Sequence, residues 1–217
     1  WPYGIAFANG KFIVTDSGNR RVMIWNQFPA VDCPADICIG QPSWQDAEEN
    51  RGGSGAADSF RWPHDLAVHH NRLLVADAGN HRVMCWNQAP GSDQPADKQI
   101  GQYDFQSAWE LRFDPQFPRR LRFPYALDVC HDVLAVADTA NNRVLFWKLP
   151  LEPPCHSCAF DVIGQNDFGS NGENRWQAVE RDTLCWPYGL CFHQGRLAIA
   201  DSGNNRVMIL DCREVLA

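Results

Sequence analysis

The sequence lacks any apolar run approaching the roughly 18 residues that a membrane-spanning helix needs. Its 217 residues also contain no Gly-rich phosphate loop, no Gly-x-Ser-x-Gly elbow and no His-Glu-x-x-His motif. The opening Trp-Pro-Tyr-Gly has no charged region leading into an apolar one, so no targeting segment is visible. The sequence therefore contains none of these patterns, which would identify a membrane span or several common enzyme classes.

Positive charge is scarce, with 19 Lys and Arg against 26 Asp and Glu and a formal net charge of −7. Proteins that bind nucleic acid gain affinity by releasing counterions from phosphates, which requires a basic surface. The charge balance therefore argues against nucleic acid as a partner.

Cysteine is abundant but odd in number, at nine. A domain of this size builds a core without covalent staples, and disulfide frameworks use even numbers of cysteines. We interpret most of them as free thiols, which favours a reducing, cytoplasmic setting over an oxidising one. The sequence starts at a repeat boundary without Met, so the presence of a preceding segment stays an alternative.

A repeat organises the whole sequence. An aromatic residue followed by Pro recurs at separations of 61, 61 and 63 residues, at Trp1, Trp62, Phe123 and Trp186. An Asp, with an Arg five residues later, recurs in step with it, at Asp16 and Arg21, Asp77 and Arg82, Asp138 and Arg143, and Asp201 and Arg206. We therefore divide a single domain into repeats of about 1–61, 62–122, 123–185 and 186–217, the last incomplete.

Each repeat contains four short runs typical of strands, seen best in the second copy at 66–69, 73–76, 82–86 and 98–102. β-branched and aromatic residues dominate these runs, and no helical 3.6-residue period spans them. The Asp-Ala-Gly-Asn segment at 77–80 is a turn signal, because Gly and Asn tolerate left-handed backbone angles. Four-stranded antiparallel units in series predict an all-β fold, a β-propeller with one blade per repeat.

The turn segments at 14–22, 76–83, 137–144 and 200–207 resemble the NHL repeat, whose pattern runs Ala-Asp-Ser-Gly-Asn-x-Arg-Val. An Ile-Gly-Gln-x-Asp-Phe extension at 100–105 and 163–168 is similar to the long bacterial variety of this repeat. The first copy departs from it, with Ile-Gly-Gln followed by Pro42-Ser43-Trp44. The resemblance covers nearly the whole chain and implies an NHL-repeat propeller, but it does not fix an activity.

The repeated Asp and Arg residues are interpreted as structural. A carboxylate that ends a strand can accept backbone N–H bonds, and an Arg fork can reach carboxylates and carbonyls. A feature present in every blade is better explained by stability than by catalysis. Trp25, Trp86 and Trp147 close the third strands and are interpreted as packing between blades.

Three long loops that connect the blades, at about 42–61, 103–122 and 166–185, form one candidate binding surface. Connections of about twenty residues are uncommon unless they are functional or disordered. The first loop is acidic and Gly-rich, the second is basic and includes Arg112, and the third is mixed. The binding residues predicted on these loops are Trp44, Trp109, Arg119, Arg120 and Trp176. Varied loops on a rigid ring favour recognition of a protein partner.

The starts of the innermost strands form a second candidate site, at the mouth of the central channel. The equivalent residues there are Tyr3, His64, Tyr125 and Tyr188. His64 is followed by Asp65, and this pair of imidazole and carboxylate suits ligand orientation or acid–base chemistry, although we favour the simpler interpretation of a polar rim in contact with solvent. Asp128 replaces a small or thiol side chain of the other repeats and is expected to face the channel.

Evidence for a metal site in the sequence is weak. Cys155 and Cys158 have zinc-like spacing, but a structural site needs two further ligands. The nearest candidates, Cys33 and Cys38, belong to a loop two blades away. A local redox pair or two surface thiols fits better, and we predict no metal or other cofactor. His70 falls in a hairpin turn on the opposite face, where we expect it to be solvated.

Three functions compete. A scaffold that binds a protein partner or ligand through the loop face is favoured. The first alternative is a metal-dependent lyase or hydrolase, because the NHL-like peptidyl-amidating lyase holds its metal with channel histidines; only His64 matches that arrangement here. RNA binding, as in some developmental regulators with NHL domains, needs a strongly basic face, and only the 103–122 loop is basic.

The repeats supply fifteen strands, because the last repeat ends after its third strand. Propellers normally complete one blade with strands from both termini, which removes exposed sheet edges. The sequence therefore predicts either a four-bladed ring with one short blade or part of a larger ring. In the second case two apolar blade faces are exposed, and we expect them to drive self-association.

The thiol interpretation predicts that most of the nine cysteines react with a thiol reagent in the denatured but unreduced chain. Recovery of a single reactive thiol would instead mean four disulfides and an oxidising compartment.

Overall fold

Short strands of the repeated runs assemble into four antiparallel sheets in a computed structural model, which describes residues 1–110, 115–151 and 157–216. The first three sheets each contain four strands and the last contains three. The strands are β1 Pro2–Ala8, β2 Lys11–Asp16, β3 Arg21–Trp25, β4 Ile37–Ile39, β5 Pro63–His69, β6 Arg72–Asp77, β7 Arg82–Trp86, β8 Lys98–Ile100, β9 Pro124–Cys130, β10 Val133–Asp138, β11 Arg143–Lys148, β12 Asp161–Ile163, β13 Pro187–His193, β14 Arg196–Asp201 and β15 Arg206–Asp211.

Helix is almost confined to single turns. Six 3₁₀ turns occur in the described part of the chain, at Ser17–Asn19, Glu49–Gly52, Ala78–Asn80, Thr139–Asn141, Glu173–Trp176 and Ser202–Asn204, and one short α-helix follows at Arg213–Leu216. No helix of the described ranges is long and apolar enough to cross a membrane.

The first strand of each sheet lies innermost. β1 packs against β5, β5 against β9 and β9 against β13. An apolar cluster fills each of the three spaces between consecutive sheets, around Ile24 and Leu73, Leu74 and Leu145, and Phe146 and Leu197. This arrangement is a four-bladed β-propeller, which confirms the predicted fold class.

In the two central blades, the indoles at the ends of the third strands pack between blades, as the sequence pattern indicated. Trp86 and Trp147 are buried, and each donates its indole N–H to a backbone carbonyl of the following loop at 3.1 Å. Trp25, in the first blade, is only half-buried and makes the equivalent bond to Cys33.

The outer faces of the first and last blades differ from the faces between blades. Ile5 of β1 and Val207 of β15 are 64% and 68% exposed. Their equivalents between blades, Leu66 and Val144, are buried. Both terminal blades therefore present apolar sheet faces to solvent, and the self-association expected from such faces stays a prediction.

The Ile-Gly-Gln segment ends the fourth strand and explains why that strand is shorter than the sequence suggested. Gly101 has a φ of +104°, and a Cβ there would lie 2.6 Å from the carbonyl oxygen of His81, so only glycine fits. Gln102 then donates its amide to the carbonyls of His81 and Trp109 at 3.2 and 3.1 Å. Strand β8 therefore ends at Ile100, and the motif ties the following loop to the turn of its own blade.

The repeated Asp and Arg residues form an ion pair in every blade. The pairs are Asp16 with Arg21, Asp77 with Arg82, Asp138 with Arg143 and Asp201 with Arg206, at 2.7 to 2.9 Å between carboxylate Oδ2 and Nε. In the second and third blades both side chains are fully buried.

The second blade shows what each pair connects. Asp77 accepts hydrogen bonds from the backbone N–H groups of Arg61 and Trp62 at 2.9 and 3.2 Å. Arg82 donates to the carbonyl of Phe105 at 2.6 Å and to the carbonyl of Ser59 at 2.9 Å. The pair thus joins the turn between the second and third strands to the loop that enters the blade and the loop that leaves it.

Cysteines are unpaired in the described residues: eight are free thiols, of which Cys85, Cys185 and Cys212 are buried. Cys158 is exposed. Its proposed companion Cys155 lies outside the described residues, as does Arg112.

Replacing Asp77 with Ala should destabilise the fold by about 3–5 kcal/mol, because the buried Arg82 guanidinium loses its counter-charge. Urea unfolding followed by circular dichroism measures this change. Asp58→Ala is the matched control, since the Asp58 ion pair with Arg51 is half-exposed and should contribute less than about 1 kcal/mol. Equal effects of the two substitutions would contradict a structural role for the buried pair.

Candidate functional site

The rings at the starts of the innermost strands contact one another in one continuous line at the channel mouth. Ring centroids lie 4.2 Å apart for Tyr3 and His64, 4.4 Å for His64 and Tyr125, and 5.0 Å for Tyr125 and Tyr188. We call these four residues the aromatic row. Sequence equivalence predicted that they would share one end of the channel, and the structure brings them into direct contact.

His64 is held in one orientation within the aromatic row. Its Nδ1 lies 2.9 Å from the carbonyl oxygen of Tyr125, and because a carbonyl only accepts, Nδ1 carries the hydrogen and Nε2 the lone pair. Burial lowers the pKa of His64, and the bond to Tyr125 only partly opposes this effect. The imidazole is therefore neutral at pH 7.

Asp65 does not pair with His64 but bonds to backbone. Its Oδ1 accepts the N–H of Leu66 at 2.9 Å, and its Oδ2 accepts the N–H of Leu127 in the next blade at 3.0 Å. Burial raises the pKa of Asp65, the two N–H groups oppose the rise, and the nearby carboxylate of Asp128 adds to it. The carboxylate thus connects β5 to β9.

Asp128 repeats this arrangement one blade further on. It accepts the N–H of Phe192 at 2.6 Å and that of Val129 at 2.7 Å, which connects β9 to β13. Between the first two blades the hydroxyl of Thr15 serves instead, accepting from Gly4 N–H at 2.7 Å and donating to the carbonyl of His64 at 3.0 Å. The residues that break the repeat symmetry here therefore link neighbouring blades.

A cavity of about 1020 Å³ opens above the aromatic row. The rest of its lining comes from two indoles and the turn of the first blade, namely Trp1, Trp62, Ser17, Gly18, Asn19 and Arg20. Its volume lies at the upper end of the range of small-ligand sites, about 300–1,000 Å³. Sequence reasoning missed the contribution of this turn, because the same turn occurs in every repeat.

The predicted loop residues lie elsewhere on this face and do not line the cavity. The Arg21 guanidinium lies 5.8 Å from the Trp44 ring centroid, and Arg120 lies 6.0 Å from that of Trp109. Arg119 borders a shallow cleft beside Arg120. Trp176 is exposed. The structure therefore separates the loop aromatics from the aromatic row.

The long loops are bonded to the blades. Asn50 and Asn80 exchange amide hydrogen bonds at 2.7 and 3.1 Å, and Asn174 and Asn204 do the same at 2.8 and 2.9 Å. In each case an asparagine of the loop meets the asparagine of the next blade's turn. The loop length therefore serves blade-to-blade contact as well as surface variation.

A second buried histidine, His81, was not singled out from the sequence. It occupies the variable position of the repeat motif, and its Nδ1 accepts the N–H of Phe123 at 3.2 Å. Phe123 lies two residues before Tyr125 of the aromatic row. Asn142 holds the equivalent position in the next blade and accepts the N–H of Trp186 at 2.9 Å. Aligning this variable position across the repeats could have identified His81 and Asn142 as equivalent residues.

Comparison with known proteins agrees with this geometry. The NHL repeat family matches residues 60–86, the span that holds the second blade's Asp-Arg pair and first three strands. The second blade therefore contains an NHL repeat, within a four-bladed β-propeller. No curated protein sequence matches it significantly. An NHL-repeat propeller supports a scaffold or binding role in general terms.

Solved structures that resemble this chain include one natural and two designed proteins. Glutaminyl cyclase of Myxococcus xanthus is 11% identical with a TM-score of 0.50, over 97% of this chain and 74% of that one. The computationally designed Ika4 and Ika8 proteins are each 9% identical with TM-scores of 0.47, over 97% of this chain and 91% and 45% of theirs. At these identities the likeness concerns the fold alone.

The neutral state of buried His81 predicts a pH-dependent stability. Burial lowers the pKa of His81 to about 4, so the unfolded chain binds this proton more readily than the folded chain between pH 6.5 and 4. Stability should therefore fall as the pH is lowered through this window, by up to about 3 kcal/mol for a shift of this size. Urea unfolding at a series of pH values measures the slope.

The matched variant is His81→Asn, which keeps a hydrogen-bond acceptor for Phe123 and places there the residue that the next blade already uses. It should unfold with a shallower pH dependence than the unsubstituted chain. Parallel curves for the two proteins would show that His81 does not contribute.

Proposed function

We propose that this propeller is a protein-interaction module that holds an extended segment of a partner, bearing aromatic or proline side chains, in the cavity above the aromatic row. The observation that carries the proposal is the continuous line of ring contacts through Tyr3, His64, Tyr125 and Tyr188 beneath an open cavity of about 1020 Å³. The loop face on which it lies is the face that sequence analysis favoured.

The chemistry of the lining supports such a ligand. Tyrosine and tryptophan offer large, rigid contact surfaces that lose little entropy on binding, and they pack well against proline and aromatic rings. Tyr3 and Tyr188 are 56% and 41% exposed, so their rings are accessible without rearrangement. Nε2 of His64 remains an acceptor for a donor on the ligand.

The charge of the cavity lining further restricts the class of ligand. Arg20 is the one formally charged side chain among the described residues of the lining, and its Nη2 lies 3.6 Å from Glu49. With His64 neutral, the cavity has little net charge to attract a polyanion. This supports a largely uncharged peptide segment over RNA.

An enzyme of the metal-dependent lyase or hydrolase type has less support. His64 is the single histidine in the described lining of the cavity, and its Nδ1 is engaged by a backbone carbonyl. Both oxygens of Asp65 accept backbone N–H groups, which leaves that carboxylate poorly placed as a general base.

Selection from a library of displayed random peptides tests the proposal. The selected peptides should be rich in Trp, Tyr and Pro, and Tyr188→Ala should weaken their binding about tenfold, the loss of roughly 1.4 kcal/mol expected for one aromatic contact. Tyr103→Ala is the matched control, because Tyr103 is 60% exposed but lies outside the cavity. Equal loss in both variants, or none in either, would contradict the cavity as the site.

A further inference from the structure

Three side chains with metal-binding groups meet at the opposite end of the innermost strands from the aromatic row. His69 ends β5, His70 lies in the turn after it, and Asp132 lies in the equivalent turn after β9. Nε2 of His69 is 3.1 Å from Oδ1 of Asp132, and Nε2 of His70 is 4.0 Å from the same oxygen. All three candidate ligand atoms lie within 4.8 Å of one another.

Adjacent residues of a strand normally point to opposite faces, so the convergence of two consecutive histidines needs a cause. The backbone supplies it: His70 has a φ of +54°, in the left-handed region, which ends the alternation at the hairpin turn. The two imidazole rings consequently face the same carboxylate, with centroids 4.2 Å apart. The amide of Asn9 in the preceding blade donates to the carbonyl of His70 and holds this turn.

We propose that His69, His70 and Asp132 form a binding site for a divalent late first-row metal ion of the Zn²⁺ type, bridging the second and third blades. Two imidazole nitrogens and a carboxylate oxygen are a ligand set that such ions accept, with solvent completing the coordination. Ligands about 2.0–2.2 Å from a tetrahedral Zn²⁺ lie roughly 3.3 Å from one another. The observed separations reach this geometry through small rotations of side chains that are partly or largely exposed.

The equivalent turns show how local the site is. The first blade has Asn9-Gly10 and the fourth has Gln194-Gly195 at the positions of His70 and Asn71. The third blade has His131 beside Asp132 but Cys130 in place of His69. Among the described residues the cluster therefore occurs only between the second and third blades. His69 lies five positions after His64, about 17 Å along a strand, so this site is distinct from the cavity.

Calorimetric titration with ZnCl₂ tests the site in the full chain, after chelator treatment and alkylation of exposed thiols, because free cysteines also bind zinc. One ion should bind per chain, and saturation should raise the melting temperature by roughly 4 °C or more. His70→Ala and Asp132→Asn should each weaken binding at least about tenfold, since each removes one ligand or its charge.

His193→Ala is the matched control, because His193 is exposed at the end of β13, the position equivalent to His69. It should bind zinc as the unsubstituted chain does. Circular dichroism of each variant without metal establishes that it is folded. Undiminished binding in folded His70→Ala and Asp132→Asn variants, or absence of binding to the unsubstituted chain, would overturn the proposal.

Discussion

The ion pair between an Asp that ends the second strand and an Arg that begins the third is the interaction on which the rest of the structure depends. Asp77 and Arg82 are both fully buried, so neither is tolerable without the other. Their remaining hydrogen-bonding groups meet backbone atoms of the loops entering and leaving the blade. One pair per blade therefore positions the turn, both loops and the start of the innermost strand, where the aromatic row lies.

Much of this architecture was readable from the sequence because it is periodic. The short apolar runs that begin at Leu66 and Leu73 are typical of buried strands, and the spacing of Asp77 and Arg82 recurs in every copy. The propeller and the grouping of the tyrosines with His64 followed from aligning the copies. Strand ends were less predictable, since Gly101 ends β8 through a backbone angle that the strand pattern does not contain.

The parts of the site that depend on contacts between blades were not predicted from the sequence. Asp65 suggested acid–base chemistry beside His64, yet its second oxygen bonds to Leu127, 62 residues away. Such a contact depends on the offset between two sheets, and strand patterns carry no information about that offset. The convergence of His70 with Asp132 arises in the same way, across a boundary between blades. Equivalent positions show which residues share a level of the propeller, but not which of them touch.

The three junctions between innermost strands use a hydroxyl at Thr15 and carboxylates at Asp65 and Asp128, each placed differently. Gly4 illustrates the consequence, since a Cβ there would lie 2.8 Å from the Cα of Asp65. A blade moved to another position would bring the wrong donor, acceptor or side-chain volume to its neighbours. The blades share one sequence pattern but are not interchangeable: the contacts at the junctions depend on the order of the blades, and exchanging whole repeats would place mismatched groups at these junctions.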